Sequence, residues 1–208
     1  MWKQGAEYGI IKFKAAAAGG AERKQGEQTM DLTERQVETQ TVYDGVIVRV
    51  RLDQASLPNG RTARREVVEH PGGVTILPVD ESGVVTLVRQ YRYPLGQLVL
   101  EAPAGKLERG EDPLEGGVRE LSEEVGLTAG RLTYLGAMYP SPGFCDEVLH
   151  MYLAQELTQG DCHPDEDEFL ELVRMPLEEA VERVMNNEIA DGKTVCVLMK
   201  AWKLLGRR

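Results

Sequence analysis

"GKLERGEDPLEGGVRELSEEVGL", residues 105–127, decides how the rest of this 208-residue chain is read. Asp112 is a good N-cap, Pro113 suits the first helical position, and Glu115 completes a capping box. Gly126, followed by Leu127, suits a left-handed C-terminal cap, so the pattern predicts a helix over about 113–125. At about 100° per residue, Leu114, Val118, Leu121 and Val125 fall on one narrow stripe, the face expected to pack on a sheet. Glu120, Glu123 and Glu124 crowd a sector on roughly the opposite side, with Gly116 and Gly117 on or beside it. Like charges three or four apart on a helix cost roughly 0.2–0.5 kcal/mol per pair. Each glycine costs up to about 1 kcal/mol relative to alanine, and small residues there leave room for something to approach closely. A solvated acidic face is one reading of such a helix. The other is a site for a hard divalent cation, since Mg²⁺ prefers carboxylate oxygens and commonly sits between carboxylates and substrate phosphates. The helix alone leaves both open.

The residues upstream narrow the choice. From Gly105 the segment reads G-x5-E-x7-R-E-U-x-E-E-x-G-U, with U aliphatic, supplied by Gly105, Glu111, Arg119, Glu120, Leu121, Glu123, Glu124, Gly126 and Leu127. With each identity at an average frequency of about 6%, a chance match is rarer than about one in a million. The segment resembles the Nudix box, the loop-helix-loop of hydrolases that act on nucleoside diphosphates linked to a further moiety. That resemblance implies an α/β fold, a Nudix-type α/β/α sandwich around a mixed sheet. It implies that Glu120, Glu123 and Glu124 bind Mg²⁺ or Mn²⁺ and serve catalysis. It gives Gly105, Glu111 and Arg119 structural roles, with Glu111 and Arg119 pairing to hold the loop against the helix. The chemistry agrees, because a pyrophosphate repels nucleophiles by its own charge and needs cations on its oxygens and a positioned water.

Substrate class has to come from outside the box. "LEAPAGKLE", "YPSPGFCDEVLHMYLA" and "HPDEDEFLELVRMPLEEA" are similar to the ADP-ribose pyrophosphatase branch of that family. By that similarity the Ala104 carbonyl is a metal ligand, Glu166 orients or deprotonates the attacking water, and Glu168 is a further ligand. A shift of two residues within "DEDE" would exchange the roles of Glu166 and Glu168. Arg65 and Arg92 align with arginines that contact the diphosphate and terminal ribose, and a guanidinium fork suits phosphate. The similarity further implies a homodimer whose N-terminal strands exchange. The activity implied is metal-dependent hydrolysis of ADP-ribose to AMP and ribose 5-phosphate. The alternatives are a pyrophosphatase for another nucleotide sugar and a module that binds ADP-ribose without cleaving it.

Composition sets the remaining bounds. The chain is 42% hydrophobic and 28% charged, which suits a globular protein with a real core. A net charge of −10 lacks the basic footprint of a nucleic-acid binder, so positive charge at an anionic substrate must come from metal or placed arginines. Cys145, Cys162 and Cys196 are odd in number and unpaired by spacing, which argues for free thiols in a reducing, cytoplasmic setting. No apolar run reaches the roughly 20 residues that cross a bilayer, so no membrane partner is expected.

Along the chain, residues 1–29 hold the low-complexity "AAAAGG" and read as a disordered or non-native extension, with Met30 as a candidate start. Residues 30–70 read as an antiparallel strand arm and 71–208 as the hydrolase domain. Val46, Val48, Val50 and Leu52 alternate with Ile47, Arg49 and Arg51 as a strand. "GVTILPV" and "GVVTLVRQY" flank "DESG" and predict a hairpin. "QLVLEAP", "RLTYLGAMY" and "EVLHMYLAQEL" predict strands, "AGKLERGED" and "PSPGFCD" loops, and "PLEEAVERVMNNEI" and "KTVCVLMKAWKLL" helices.

Overall fold

The computed structural model describes residues 31–163 and 168–206. They divide into two compact units: residues 31–71 with Ser141–Glu147, and residues 72–140 with the rest of the described chain from Val148 onward.

The first unit is an antiparallel sheet of β1 (Arg35–Asp44), β2 (Arg49–Ser56) and β3 (Thr62–Glu69), in that order. The strand expected from Val46 begins instead at Arg49. Val46 and Ile47 are exposed at the tip of the β1–β2 turn, which the Gly45 N–H closes on the Val48 carbonyl at 3.0 Å. The Tyr43 ring packs so closely over Gly45 that a Cβ there would lie 2.5 Å from it, so a local contact overrides the alternating pattern. The segment Ser141–Glu147 joins this unit through a bridge between Val68 and Cys145 and through the His70 N–H, which donates to Asp146 Oδ1 at 2.8 Å.

The second unit carries two sheets. β4 (Gly73–Pro78), β7 (Ala104–Lys106), β8 (Leu127–Met138) and β9 (Leu149–Gln159) form a mixed sheet in the order β7-β4-β9-β8, with β4 and β9 parallel. β5 (Val84–Arg92), β6 (Gln97–Glu101) and β10 (Glu171–Pro176) form an antiparallel sheet in the order β10-β5-β6. The hairpin expected across "DESG" is therefore only a turn. Asp80 Oδ1 accepts from the Ser82 N–H, the Ser82 hydroxyl and the Val84 N–H, and one bridge, Val79 to Val85, follows before the strands part into different sheets. β4 is buried along its whole length and hydrogen-bonded on both edges, to β7 and β9, which leaves no edge for β5.

Helices cover both faces of the mixed sheet. Val74, Ile76, Tyr152 and Ala154 point to one side, where Leu121 and Val125 of α1 (Pro113–Val125) complete a core cluster. Leu77, Met151 and Leu153 point to the other, against Leu177 and Ala180 of α2 (Leu177–Met185) and Val197, Leu198 and Ala201 of α3 (Gly192–Leu204). This alternation is the period of two that a strand buried on both faces must show. α2 stops short of the Ile189 that its apolar pattern suggested. Asn187 takes a left-handed backbone, φ 60°, and Ile189 returns to the core 1% exposed, so the apolar residue belongs to a chain reversal. Among the described residues no helix is long and apolar enough to cross a membrane, and Cys145, Cys162 and Cys196 are all free thiols.

Candidate active site

α1 forms where the sequence places it, because its ends are fixed locally. Asp112 accepts from the Leu114 N–H at 2.8 Å, and Gly126, φ 64°, returns its N–H to the Leu121 and Ser122 carbonyls. Leu121 and Val125 are buried and Leu114 and Val118 pack beside them. The acidic side, however, is not a solvated face. Glu120 is 7% and Glu124 2% exposed, folded under the loop that runs from Ala104 to Glu111. Gly105 makes this possible: a Cβ there would fall 1.8 Å from Glu120 Oε1. Gly116 and Gly117 do not open space for a ligand, as their position beside the glutamates suggested. A Cβ on them would meet Leu107 at 2.7 Å and Val74 at 3.2 Å, so their smallness seats the helix on the loop and on β4.

Arg119 gathers the acidic groups. Its Nε donates to Glu111 Oε1 at 3.0 Å, its Nη1 to Glu120 Oε1 at 2.7 Å and Glu123 Oε2 at 2.9 Å, and its Nη2 to Glu111 Oε2 at 3.2 Å and the Lys106 carbonyl at 3.3 Å. Glu111 in turn accepts from the Glu108 N–H at 2.8 Å, so one side chain braces the loop and the helix together. Glu124 is not among the groups Arg119 bonds, and among the described residues it accepts only from the Ala104 N–H, at 2.9 Å. Burial pushes the Glu124 carboxyl up to about 8, and the neighbouring charges of Glu120 and Glu168 push the same way. Glu120 is raised by burial as well, with Arg119 opposing. The Arg119 guanidinium is raised chiefly by its hydrogen bonds to Glu111. Two adjacent carboxyl groups out of water, only one of them bonded to a cation among the described residues, is a condition that a metal ion relieves.

A second charged group stands at the end of β5. Arg92 grips Glu101 with Nε and Nη2, both at 2.7 Å, and this bond raises the guanidinium, with the charge of Glu124 adding to the effect. Among the described residues Arg92 Nη1 makes no hydrogen bond, and the side chain is 39% exposed, so one edge of the fork is open. Glu101, 1% exposed, also receives Lys193 Nζ from the first turn of α3. Sequence reasoning gave Glu101 and Lys193 no role. The available signals were an acid closing the apolar run "QLVLE" and the "DGKT" that opens α3.

Among the expected site residues, Ala104, Gly105, Glu111, Arg119, Glu120, Glu123 and Glu124 are brought together, and Glu168 lies close enough for its charge to raise both Glu120 and Glu124. Glu166 lies outside the described residues. Arg65 belongs to the first unit, on β3, where its fork is bidentate to Glu34 at 2.8 and 2.6 Å. Among the described residues no three His, Cys, Asp or Glu side chains converge as a ready-made metal cage. The donors still fit a hard divalent cation, because Glu120 and Glu124 offer buried carboxyl oxygens whose ionised form burial disfavours, Glu120 with Arg119 on one oxygen and Glu124 with a single backbone N–H among the described residues, in the part-protein, part-substrate manner typical of Mg²⁺. A cavity of about 410 Å³ is lined by Val79, Arg131, Glu156 and neighbours and includes none of these glutamates.

A helix whose carboxylates are buried under a preceding glycine-containing loop, on one face of a mixed sheet, defines the class, and the NUDIX domain family model matches residues 69–196. The chain belongs to the Nudix family. It is 42% identical over 165 residues to an ADP-ribose pyrophosphatase of Bacillus subtilis strain 168, covering 78% of this chain and 89% of that protein. It is 40% identical over 164 residues to a methanol dehydrogenase activator of Bacillus methanolicus, again 78% and 89%. Among solved structures, an ADP compounds hydrolase superposes with a TM-score of 0.76 at 24% identity, covering 86% of this chain and 97% of that one.

Proposed function

We propose that this chain hydrolyses the diphosphate of ADP-ribose to AMP and ribose 5-phosphate with Mg²⁺ as cofactor and Mn²⁺ able to replace it. The observation that carries this reading is the buried pair Glu120 and Glu124, of which Glu124 is bonded to Ala104 and electrostatically coupled to the half-open fork of Arg92. Glu120, Glu123, Glu124, Glu168 and the Ala104 carbonyl would hold the ion. When bound, it supplies positive charge against the diphosphate and favours deprotonation of water. Arg92 directs its free Nη1 edge to phosphate oxygens, and Arg65 is assigned to substrate by its alignment with the family's arginines. Arg119 and Glu111 keep the loop on the helix so that the carboxylates converge. Glu166 takes the proton as the water oxygen bonds to one phosphorus, the bond from that phosphorus to the bridging oxygen breaks, and the two products leave each with one phosphate. Residues 71–208 would form the catalytic domain and 30–70 the arm of a cytoplasmic homodimer.

The test is product analysis of the purified protein with ADP-ribose, GDP-mannose, UDP-glucose and NADH, with and without Mg²⁺. AMP and ribose 5-phosphate from ADP-ribose, only with metal, is the expected result. Cleavage of another sugar nucleotide in preference would move the substrate assignment, and binding of ADP-ribose without products would make the protein a sensor.

A further inference from the structure

Lys193 and Glu101 lie 92 positions apart in sequence and meet in the interior. Lys193's side chain is 11% exposed, and burying an ammonium that deeply is unfavourable unless its partners are well placed. They are. Nζ lies on Glu101 Oε2 and on Asp191 Oδ2, the latter at 3.0 Å. Asp191 caps α3 by accepting from the Thr194 N–H at 3.0 Å and the Thr194 hydroxyl at 2.6 Å. That hydroxyl, fully buried, accepts from the Ala102 N–H at 2.8 Å. The first turn of α3 is thus bonded to Glu101 by an ion pair and to the next residue by a hydrogen bond.

Glu101 has two oxygens and three donors. Arg92 Nε takes Oε1, while Oε2 is shared by Arg92 Nη2 and Lys193 Nζ. A carboxylate held by Arg92 alone could turn about its own side chain and carry the guanidinium with it. Held from behind by Lys193, it fixes the plane of the fork. Asp191 balances the charge of Lys193, so the four groups are neutral together, and what Lys193 contributes is a second grip on the Glu101 carboxylate from the side away from Arg92.

We propose that Lys193 is a positioning residue for the diphosphate: through Glu101 it orients Arg92 and leaves the Nη1 edge charged and aimed at substrate. This rests on the reading of Arg92 as a diphosphate contact and adds to it a residue from another element. A lysine that merely tied α3 to β6 would affect stability and leave the action of Arg92 unchanged.

A double-mutant cycle on the full-length, Mg²⁺-loaded protein with ADP-ribose separates these. Lys193→Met is expected to lower kcat/KM by about tenfold, and Lys193→Arg to restore at least about half of that loss on the logarithmic scale. In an Arg92→Ala background Lys193→Met is expected to change kcat/KM by less than about twofold, because the residue it acts through is gone. Thermal melts of all four proteins record the structural effect independently, and Lys193→Gln takes the place of the methionine if that variant does not fold. A tenfold loss that persists in the Arg92→Ala background, or a loss of melting temperature with kcat/KM unchanged, overturns the proposal. An Arg92→Ala protein with undiminished kcat/KM overturns the reading beneath it instead.

Discussion

Two buried acidic sites of this protein solve the problem of desolvated charge in opposite ways. Glu101 is surrounded by cations, with a bidentate arginine in front and a lysine behind, and among the described residues it belongs to a closed network running to the cap of α3. Glu124, just as buried, has among the described residues one backbone N–H bonded to it and two acidic neighbours, with the charge of Arg92 opposing them. The first is a finished piece of scaffold. The second has no cation bonded to it among the described residues, and such a site gains stability when a ligand brings that charge. Glutamine substitution at the two positions should therefore change stability in opposite directions while affecting activity very differently.

The largest effect is expected on catalysis. Glu124→Gln keeps an oxygen for the Ala104 N–H but removes the charge, so kcat for ADP-ribose should fall by at least about a hundredfold, roughly 2.7 kcal/mol of barrier. Steady-state assays at saturating Mg²⁺ would read this, and retention of more than about a tenth of wild-type activity would remove Glu124 from the chemistry.

Next comes Glu101→Gln, which leaves Arg92 and Lys193 facing a neutral group. Breaking one side of a buried ion network costs about 3–5 kcal/mol, and because Arg92 is part-exposed we expect about 2–4 kcal/mol here. Urea unfolding of the metal-free protein would measure it. A loss below about 1 kcal/mol would mean that the network is scaffold in appearance only.

Distinctive in sign is the pH dependence. The folded-state carboxyl of Glu124 is raised to about 8, above its unfolded value near 4.5, so its contribution to stability is complete below about 4.5 and is lost as pH rises towards and through 8. The stability of metal-free wild type relative to Glu124→Gln should decline across that window. A difference that stays flat from pH 5 to 8 would contradict the burial argument.

The smallest effect concerns residues 1–29, to which no chemistry is assigned. A chain starting at Met30 should keep its assembly state and its kcat/KM within about twofold. Light scattering together with the standard assay would check both, and a changed assembly state would bring the segment into the working protein.

These contrasts also explain what the sequence made visible. α1 was legible to the residue because its caps, its apolar stripe and its glutamates all lie within one short stretch, where helical spacing governs neighbours. The fate of "DESG" was not, because whether β4 and β5 pair depends on β9, whose parallel partners at Leu149–Ala154 lie about 75 residues on. Strand periodicity identifies faces and is silent on partners. Glu120 and Glu124 could be read as acidic but not as buried, since burial comes from the loop folding over Gly105. Glu101 and Lys193 were silent for the same reason, their pairing existing only once α3 reaches β6.

The central claim is that Glu120 and Glu124 are held together, at a cost in stability, for a divalent cation. Thermal unfolding of wild type and Glu124→Gln at pH 8, each with and without Mg²⁺, tests it most directly. We expect the metal-free variant to melt above metal-free wild type, and Mg²⁺ to raise the melting temperature of wild type while leaving the variant nearly unmoved. A metal-free variant that melts below wild type, or a wild type indifferent to Mg²⁺, would contradict it.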